Sequence, residues 1–341
     1  MAKSRYLVAK KFSLTPNKAV IYSEVNRYDS SKDVYCSIAS GVERKNLDRA
    51  FHNFKLSKNA HRNLRKKIEW LYYLAKPKSV TTLKGKKIYN FKCAFITLTL
   101  PSKQVHPTSY ITSEFFNQWL TEMRKRFKMM NFVWRIEFQK NGNVHYHVCT
   151  DTYLDYFTVR RSWNRIINKG GYIDSYQNQW KGLKLSEYIE KVDPLSFALY
   201  SEVAKAYASG CKDDWRQPNS VDCKSVKSGT AVSFYISKYF GKADDEQCSC
   251  NELDTEENSK HLRLWFCSRS LSKLHSIKDY DGAVTFNPAL WLRNSKKVIV
   301  KHFDYCTVIY YDIRKLSGNL MVDIRKMLHD YSKRQGYIPS G

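Results

Sequence analysis

"FVWRIEFQKNGNVHYHV", residues 132–148, holds two short runs of alternating character on either side of an Asn-Gly pair. Period-two alternation marks half-buried strands, and Asn-Gly between two such runs marks a hairpin. Successive side chains on a strand point to opposite faces, so His145 and His147 project from one face and Tyr146 from the other. The pair is open to two readings: a half-buried strand carrying two unrelated histidines, or one wall of a metal site. Neutral imidazole suits first-row divalent metals, but two ligands alone hold an ion weakly. Glu137 on the preceding run is the candidate third ligand. A three-residue loop, Asn141-Gly142-Asn143, sets Glu137 opposite His147 on the same face. A two-residue Asn-Gly turn sets it opposite Tyr146, on the wrong face. Gly142 can take the left-handed position that a three-residue loop with a bulge requires. A His-His-carboxylate set with open positions suits Mn2+ or Mg2+ in phosphate chemistry better than closed structural zinc.

Charge favours a polyanionic partner. Among 341 residues, 58 Lys and Arg stand against 32 Asp and Glu, a formal net charge of +26. Such an excess destabilises a compact chain by self-repulsion unless a polyanion is nearby. Nucleic acid is the commonest such partner, and 14% aromatic residues supply stacking surfaces. No apolar run is long enough to span a bilayer and no basic amphipathic anchor is evident, so a membrane is not expected. The start, "MAKSRYLVAKKF", lacks the apolar core of a signal peptide. Nine cysteines without CxxC pairs point to reduced thiols in a cytoplasm. Cys248, Cys250, His261 and Cys267 fit no common zinc spacing.

Outward from the hairpin, "LSKNAHRNLRKKIEWLYYLA" (56–75) has helical spacing of Leu64, Ile68, Leu71 and Leu74. Its Arg62, Arg65, Lys66 and Lys67 are either a solvated face or a DNA-backbone contact. "SVTTLKGKKIYNFKCAFITLTLP" predicts a hairpin turning at "KGKK", with a strand over 95–100. A helix is expected over 113–130 with Ser113 as cap, and another over 155–169 ending at Gly170-Gly171. Asp193-Pro194 opens a further helix running to Gly210, and "NSVDCKSV" is strand-like. Residues 243–260 form an acidic insert without periodicity. A strand-like tail, "KVIVKHFDYCTVIYYDI", precedes a closing helix near 320–331.

"YISKYFGK" (235–242) is two copies of Y-x-x-K: Tyr235 with Lys238, and Tyr239 with Lys242. Propensity leaves helix or strand open. On a helix the two tyrosines are one turn apart on one face. Each could then take a turn at one phosphate. A neutral phenol, with a pKa of about 10, is a poor nucleophile. A metal that polarises the phosphate compensates, and a lysine favours the phenolate or neutralises the phosphorane. The plainer alternative is two core aromatics on an amphipathic helix.

"FITLTLP", "WRIEFQKNGNVHYHV", "YISKYFGK" and "WFCSRSL", in that order, resemble the HUH (His-hydrophobic-His) endonucleases. The likeness is to the two-tyrosine branch that initiates rolling-circle replication of small single-stranded DNA phages, and it covers about Phe91 to Leu274. It implies an α+β fold: a central antiparallel sheet of about five strands, HUH or RRM-like, flanked by helices, with further N- and C-terminal elements. The expected divisions are a basic region over 1–90, the endonuclease core over 91–275 and an extension over 276–341. The resemblance implies that one tyrosine attacks single-stranded origin DNA, becoming linked to the 5′-phosphate and leaving a 3′-OH to prime synthesis. The second tyrosine cleaves the regenerated origin, and the displaced strand is rejoined. His145, His147 and Glu137 carry over as ligands of Mn2+ or Mg2+, and Tyr235 and Tyr239 as nucleophiles. Lys238 and Lys242 become phosphate-facing helpers, and Thr97 and Thr99 structural or DNA-contacting residues. The implied partners are viral or plasmid origin DNA and host replication machinery in a bacterial cytoplasm. No P-loop motif occurs, so unwinding falls to a host helicase. A transposase or mobilisation relaxase would share this chemistry, whereas a non-enzymatic nucleic-acid-binding protein would explain the charge alone.

Overall fold

The computed structural model describes residues 6–29, 34–37, 54, 56–192, 200–226, 252–255, 257, 262–278, 294–316 and 318–339. Contacts divide the chain into two units: Met1–Ala50 with Arg269–Ile338, and Phe51–Ser268 with Pro339–Gly341.

In the first unit, β1 (Tyr6–Thr15) and β2 (Lys18–Asp29) form a long antiparallel hairpin turning at Pro16-Asn17. β3 (Val34–Ser37) pairs with the far end of β2. The tail that read as strand-like is a second hairpin. The later strands of this unit are β11 (Ile277–Lys278), β12 (Val298–Phe303) and β13 (Cys306–Tyr311). The sheet order is β11-β1-β2-β13-β12. The closing helix spans Asn319–Arg334 and buries Leu320, Ile324 and Leu328 along one stripe.

The second unit carries the hairpin. Its helix α1 (Lys58–Leu74) is capped by Ser57, whose Oγ accepts from the Ala60 amide at 3.1 Å. The "KGKK" turn joins β4 (Lys78–Thr81) to β5 (Lys87–Phe91), with Gly85 in the left-handed region. This hairpin stands as its own two-stranded sheet. β6 (Cys93–Thr99) belongs to another. With β7 (Phe132–Phe138), β8 (Val144–Thr150), β9 (Val221–Val226) and β10 (Trp265–Cys267) it forms the expected five-stranded antiparallel sheet, in the order β10-β7-β8-β6-β9. The central strand is therefore β8, which bears the histidines.

One face of this sheet is an apolar core. Ile96, Leu98, Trp134, Ile136, Tyr146 and Val148 alternate onto it. Two helical segments cover it. The first runs through α2 (Thr108–Tyr110), a π-helical turn over Ile111–Phe116 and α3 (Asn117–Phe127). The second is α4 (Tyr156–Ile167), capped by Asp155 and closed by Gly171 in the left-handed region. Phe116 stacks on Tyr146 at 4.2 Å between ring centroids, and Trp163 meets Tyr146 edge-on at 6.1 Å. Helices α5 (Tyr172–Trp180), α6 (Leu185–Lys191) and α7 (Tyr200–Lys212) follow. The expected start at Asp193-Pro194 lies outside the described residues.

The helix expected to start at Ser113 instead begins at Thr108. Ser113 does not cap it; its hydroxyl donates to the Tyr110 carbonyl. The cap comes from far along the chain. Buried Asp254, inside the acidic insert, accepts from the Thr108 amide at 2.6 Å and the Thr108 hydroxyl at 2.7 Å. A carboxylate at that end also complements the helix dipole.

Register in the β7–β8 hairpin differs from both alternatives read in the sequence. Gln139 donates to Asn143 O, and Gly142 donates to Gln139 O, each at 2.9 Å. The loop thus has three residues, Lys140-Asn141-Gly142, one place earlier than expected, with Gly142 at φ 80°. Glu137 consequently pairs with His145, not His147. The physical reason is Asn143. It is buried, donates through its amide group to Ser102 O at 2.8 Å, and accepts from the Gln104 amide at 2.9 Å. That anchorage pulls Asn143 out of the loop and into the ladder. The sum of paired residue numbers changes by two, so every side chain keeps its face.

Gly142→Ala forces a Cβ into a left-handed position and is expected to lower unfolding free energy by about 1–3 kcal/mol. Chemical denaturation measures this; unchanged stability would show that the loop relaxes without cost.

Candidate metal and phosphate site

The other face of the five-stranded sheet is polar at one end. Two rows of side chains cross it. Asp222, Thr97, His147, Arg135 and Trp265 are successive partners from β9 to β10. Thr99, His145 and Glu137 form the adjoining row. At the opposite end, Cys93, Val133, Cys149 and Cys267 are buried. Helix α1 lies against β7 and β10, with Lys67 beside Cys267.

His147 is held at both ring nitrogens. Its Nε2 meets Glu137 Oε2 at 2.8 Å, and its Nδ1 shares a hydrogen bond with Thr97 Oγ1 at 3.1 Å. Glu137 reaches it diagonally across the hairpin, since its direct partner is His145. The two imidazoles lie edge to face with centroids 5.6 Å apart. Thr99 Oγ1 donates to Gln139 Oε1 at 3.2 Å, and the Thr99 carbonyl accepts from Trp163 Nε1 at 2.8 Å. Both threonines are therefore tied into this end of the sheet.

Burial pushes His145 down from its ordinary 6.5 to about 4; His147 lowers it further and Glu137 opposes. His145 is thus a neutral imidazole near pH 7, the form that binds metal. For Glu137, burial alone would raise the carboxyl. The hydrogen bond to His147 and the charges of His147, Arg135 and His145 outweigh it, leaving the pKa below the usual value. Tyr146 is not a candidate nucleophile here. It faces the core, its hydroxyl bonds Thr112 Oγ1 at 2.8 Å, and burial drives its pKa upward.

Two imidazoles and an ionised carboxylate are donors that a first-row divalent ion such as Mn2+ can take, and of the three the carboxylate is the one suited to Mg2+. In arrangement they form a hydrogen-bonded pair with a neighbour. Among the described residues no group of three His, Cys, Asp or Glu side chains is posed to hold an ion. The 2.8 Å gap between Nε2 and Oε2 is close to the roughly 3 Å that separates adjacent ligands in an octahedron with bonds of about 2.1 Å.

Other residues singled out in the sequence are placed differently. Arg62 is exposed, and Arg65 is exposed but pairs with Glu69 at 3.0 Å. Lys66 is half-buried. Lys67 is only 5% exposed, and burial lowers its pKa to about 8, so it does not present a charge to a DNA backbone with the others. It lies one helical turn after Leu64 and one before Leu71, on the buried stripe. Tyr235, Lys238, Tyr239, Lys242, Cys248, Cys250 and His261 lie outside the described residues. Two residues were missed. Arg135 is 3% exposed beside His147, and Asp222 flanks Thr97. Arg135 stands two before Glu137, so strand periodicity alone places it on the same face.

Residues 93–244 match the model of a family described as Replication-associated protein ORF2. The matched span runs from β6 through the histidine hairpin and past the Y-x-x-K pair. It takes in Thr97, Glu137, His145, His147, Tyr235 and Tyr239, and excludes the basic stretch 62–67. It agrees with the resemblance to replication initiators read from the motifs. No curated protein and no solved structure matches the chain. No helix among the described residues is long and apolar enough to cross a membrane.

The shift at His145 has a sign that can be tested in chelator. Its folded pKa lies below its unfolded value, so its contribution is complete above about pH 6.5 and is lost as pH falls towards about 4. Melting temperature is expected to fall across that window, less steeply in His145→Gln. Equal slopes in the two proteins would show that His145 titrates normally.

Proposed function

We propose that this chain is a replication initiator that nicks and rejoins single-stranded origin DNA by metal-dependent tyrosine transesterification. The observation that carries the reading is that His145, His147 and Glu137 share one half-open face of the sheet, with Glu137 bonded to His147. They lie in a matched segment that continues to Tyr235 and Tyr239.

A bound Mn2+ or Mg2+ would act as a Lewis acid on the scissile phosphate. His145, His147 and Glu137 would hold it. In nicking, a Tyr235 or Tyr239 phenol oxygen bonds to phosphorus and the P–O3′ bond breaks. The phenolic proton leaves the tyrosine, and the departing 3′ oxygen takes up a proton to become the priming 3′-OH. The new 5′-phosphotyrosyl ester is close in energy to the phosphodiester it replaces, so the reverse attack can reseal a strand. Lys238 and Lys242 would offset charge on the phosphate. Thr97 is a positioning residue in this scheme. Its hydroxyl can accept from Nδ1–H or donate to bare Nδ1, so His147 can keep this partner with its Nε2 lone pair turned to metal or with Nε2–H turned to Glu137. Duplex unwinding would come from a host helicase in a bacterial cytoplasm.

With single-stranded origin DNA and Mn2+, the protein is expected to form an adduct that survives SDS. Tyr235→Phe and Tyr239→Phe each retain partial cleavage, and the double variant has none. Full activity in the double variant would place the nucleophile elsewhere. An absence of any adduct at all metal concentrations would leave the binding reading alone standing.

Thr97→Val is expected to weaken Mn2+ binding by about ten- to a hundredfold in calorimetry, with Thr97→Ser near wild type. DNA binding in chelator stays unchanged. Undiminished Mn2+ affinity in Thr97→Val would remove Thr97 from the site.

A further inference from the structure

The first unit's sheet has two unlike faces. Phe12, Leu14, Ala19, Ile309 and Tyr311 share one face and are buried. The opposite face, followed by register, carries Lys18, Tyr310 and Ile299 in one row and Tyr22, Cys306 and Phe303 in another, with Val20, Val308 and Lys301 between them. Its outer part is open among the described residues. Phe303 is 57% exposed, Tyr310 37%, and Tyr305 at the hairpin tip 88%. A strand edge with that much exposed apolar surface normally has a partner.

Charge says what kind. Lys301 lies on this face within β12, and Lys296 and Lys297 lead into the strand, all three exposed. Lys18 sits beside Tyr310. None of these four forms an ion pair among the described residues, and a whole-chain excess of +26 disfavours a second basic surface as occupant. Among the described residues the acidic groups nearby are Glu24, paired with Lys11 at 3.9 Å, Asp304 in the turn, and Asp312, paired with Arg314 at 2.6 Å. Exposed aromatic rings interleaved with unpaired lysines are what unpaired bases and their phosphates require. Phe303 and Ile299 are four residues apart, a span of about 13 Å at about 3.3 Å per residue. The ring of Tyr310, beside Ile299, is therefore more than one stacked base away from Phe303.

We propose that the β12–β13 side of this sheet is a single-stranded nucleic-acid platform. Phe303 and Tyr310 stack on bases, and Lys18 and Lys301 contact phosphates. The assignment stands without the nuclease reading, because binding is measured with metal chelated and no cleavage.

The test uses the full chain, EDTA and fluorescein-labelled oligo(dT), read by anisotropy across a salt series. Phe303→Ala and Tyr310→Ala are each expected to weaken binding by about five- to a hundredfold, while Phe303→Trp retains it. The pair Lys18→Gln and Lys301→Gln is expected to lower the magnitude of the log K against log salt slope by about 1.4. Unchanged affinity and slope in variants with wild-type melting curves overturn the proposal. So does a wild-type dimer in light scattering that Phe303→Ala dissolves without loss of oligo(dT) binding, which would make this face an interface between copies. Loss of the covalent adduct with intact platform binding would instead count against the nuclease reading alone.

Discussion

The register of one hairpin controls the geometry of the candidate site. Asn143 is pinned by the Ser102–Gln104 segment, and Gly142 supplies the left-handed turn that this pinning demands. From there the pairing of β7 with β8 follows, and with it the meeting of Glu137 and His147. A slip of one residue would turn Glu137 to the core and leave both histidines without a carboxylate. A slip of two preserves the face, which is why the observed loop still brings Glu137 to the histidine face although it is placed differently from the expected one.

The same period of two divides the work of the sheet. Tyr146, between the histidines, is locked into an aromatic core by Phe116, Trp163 and the Thr112 hydroxyl. Packing of that face fixes the course of β8, and on the opposite face His147 is held at both ring nitrogens by Glu137 and Thr97. Helix α1 covers only part of the polar face, toward β7 and β10. The end that carries Thr97, Thr99, His145 and Glu137 remains half-open. A packed core on one face beneath a partly exposed polar end on the other is a support on which a binding site can be held in place.

Local patterns were legible and distant ones were not. Alternation found β6, β7 and β8, helical spacing of Leu64, Ile68, Leu71 and Leu74 found α1, and Asp155 with Gly171 bounded α4. Ser113 misled because a good local cap residue lies one turn inside a helix whose real cap, Asp254, is 146 residues away. No local rule reveals such a partner, and the same bond supplies a role for part of an acidic insert that had none. Lys67 misled because its type outweighed its position: a lysine four residues before Leu71 belongs to the buried stripe. Pairing of β2 with β13 likewise joins segments almost 300 residues apart and has no signal in either. Of the candidate site, the histidine face and its carboxylate were readable from period two. The Thr97 bond to His147 was not, because it depends on β6 lying beside β8.

The central claim is that His145, His147 and Glu137 hold one divalent ion on the polar, half-open face of this sheet. A crystal structure grown with Mn2+ tests it most directly through the anomalous signal of the ion. The account predicts a single strong peak bonded to both imidazoles and the carboxylate, with the Glu137–His147 hydrogen bond replaced and Thr97 still on Nδ1. A Mn2+ peak elsewhere, with that hydrogen bond intact, would contradict it.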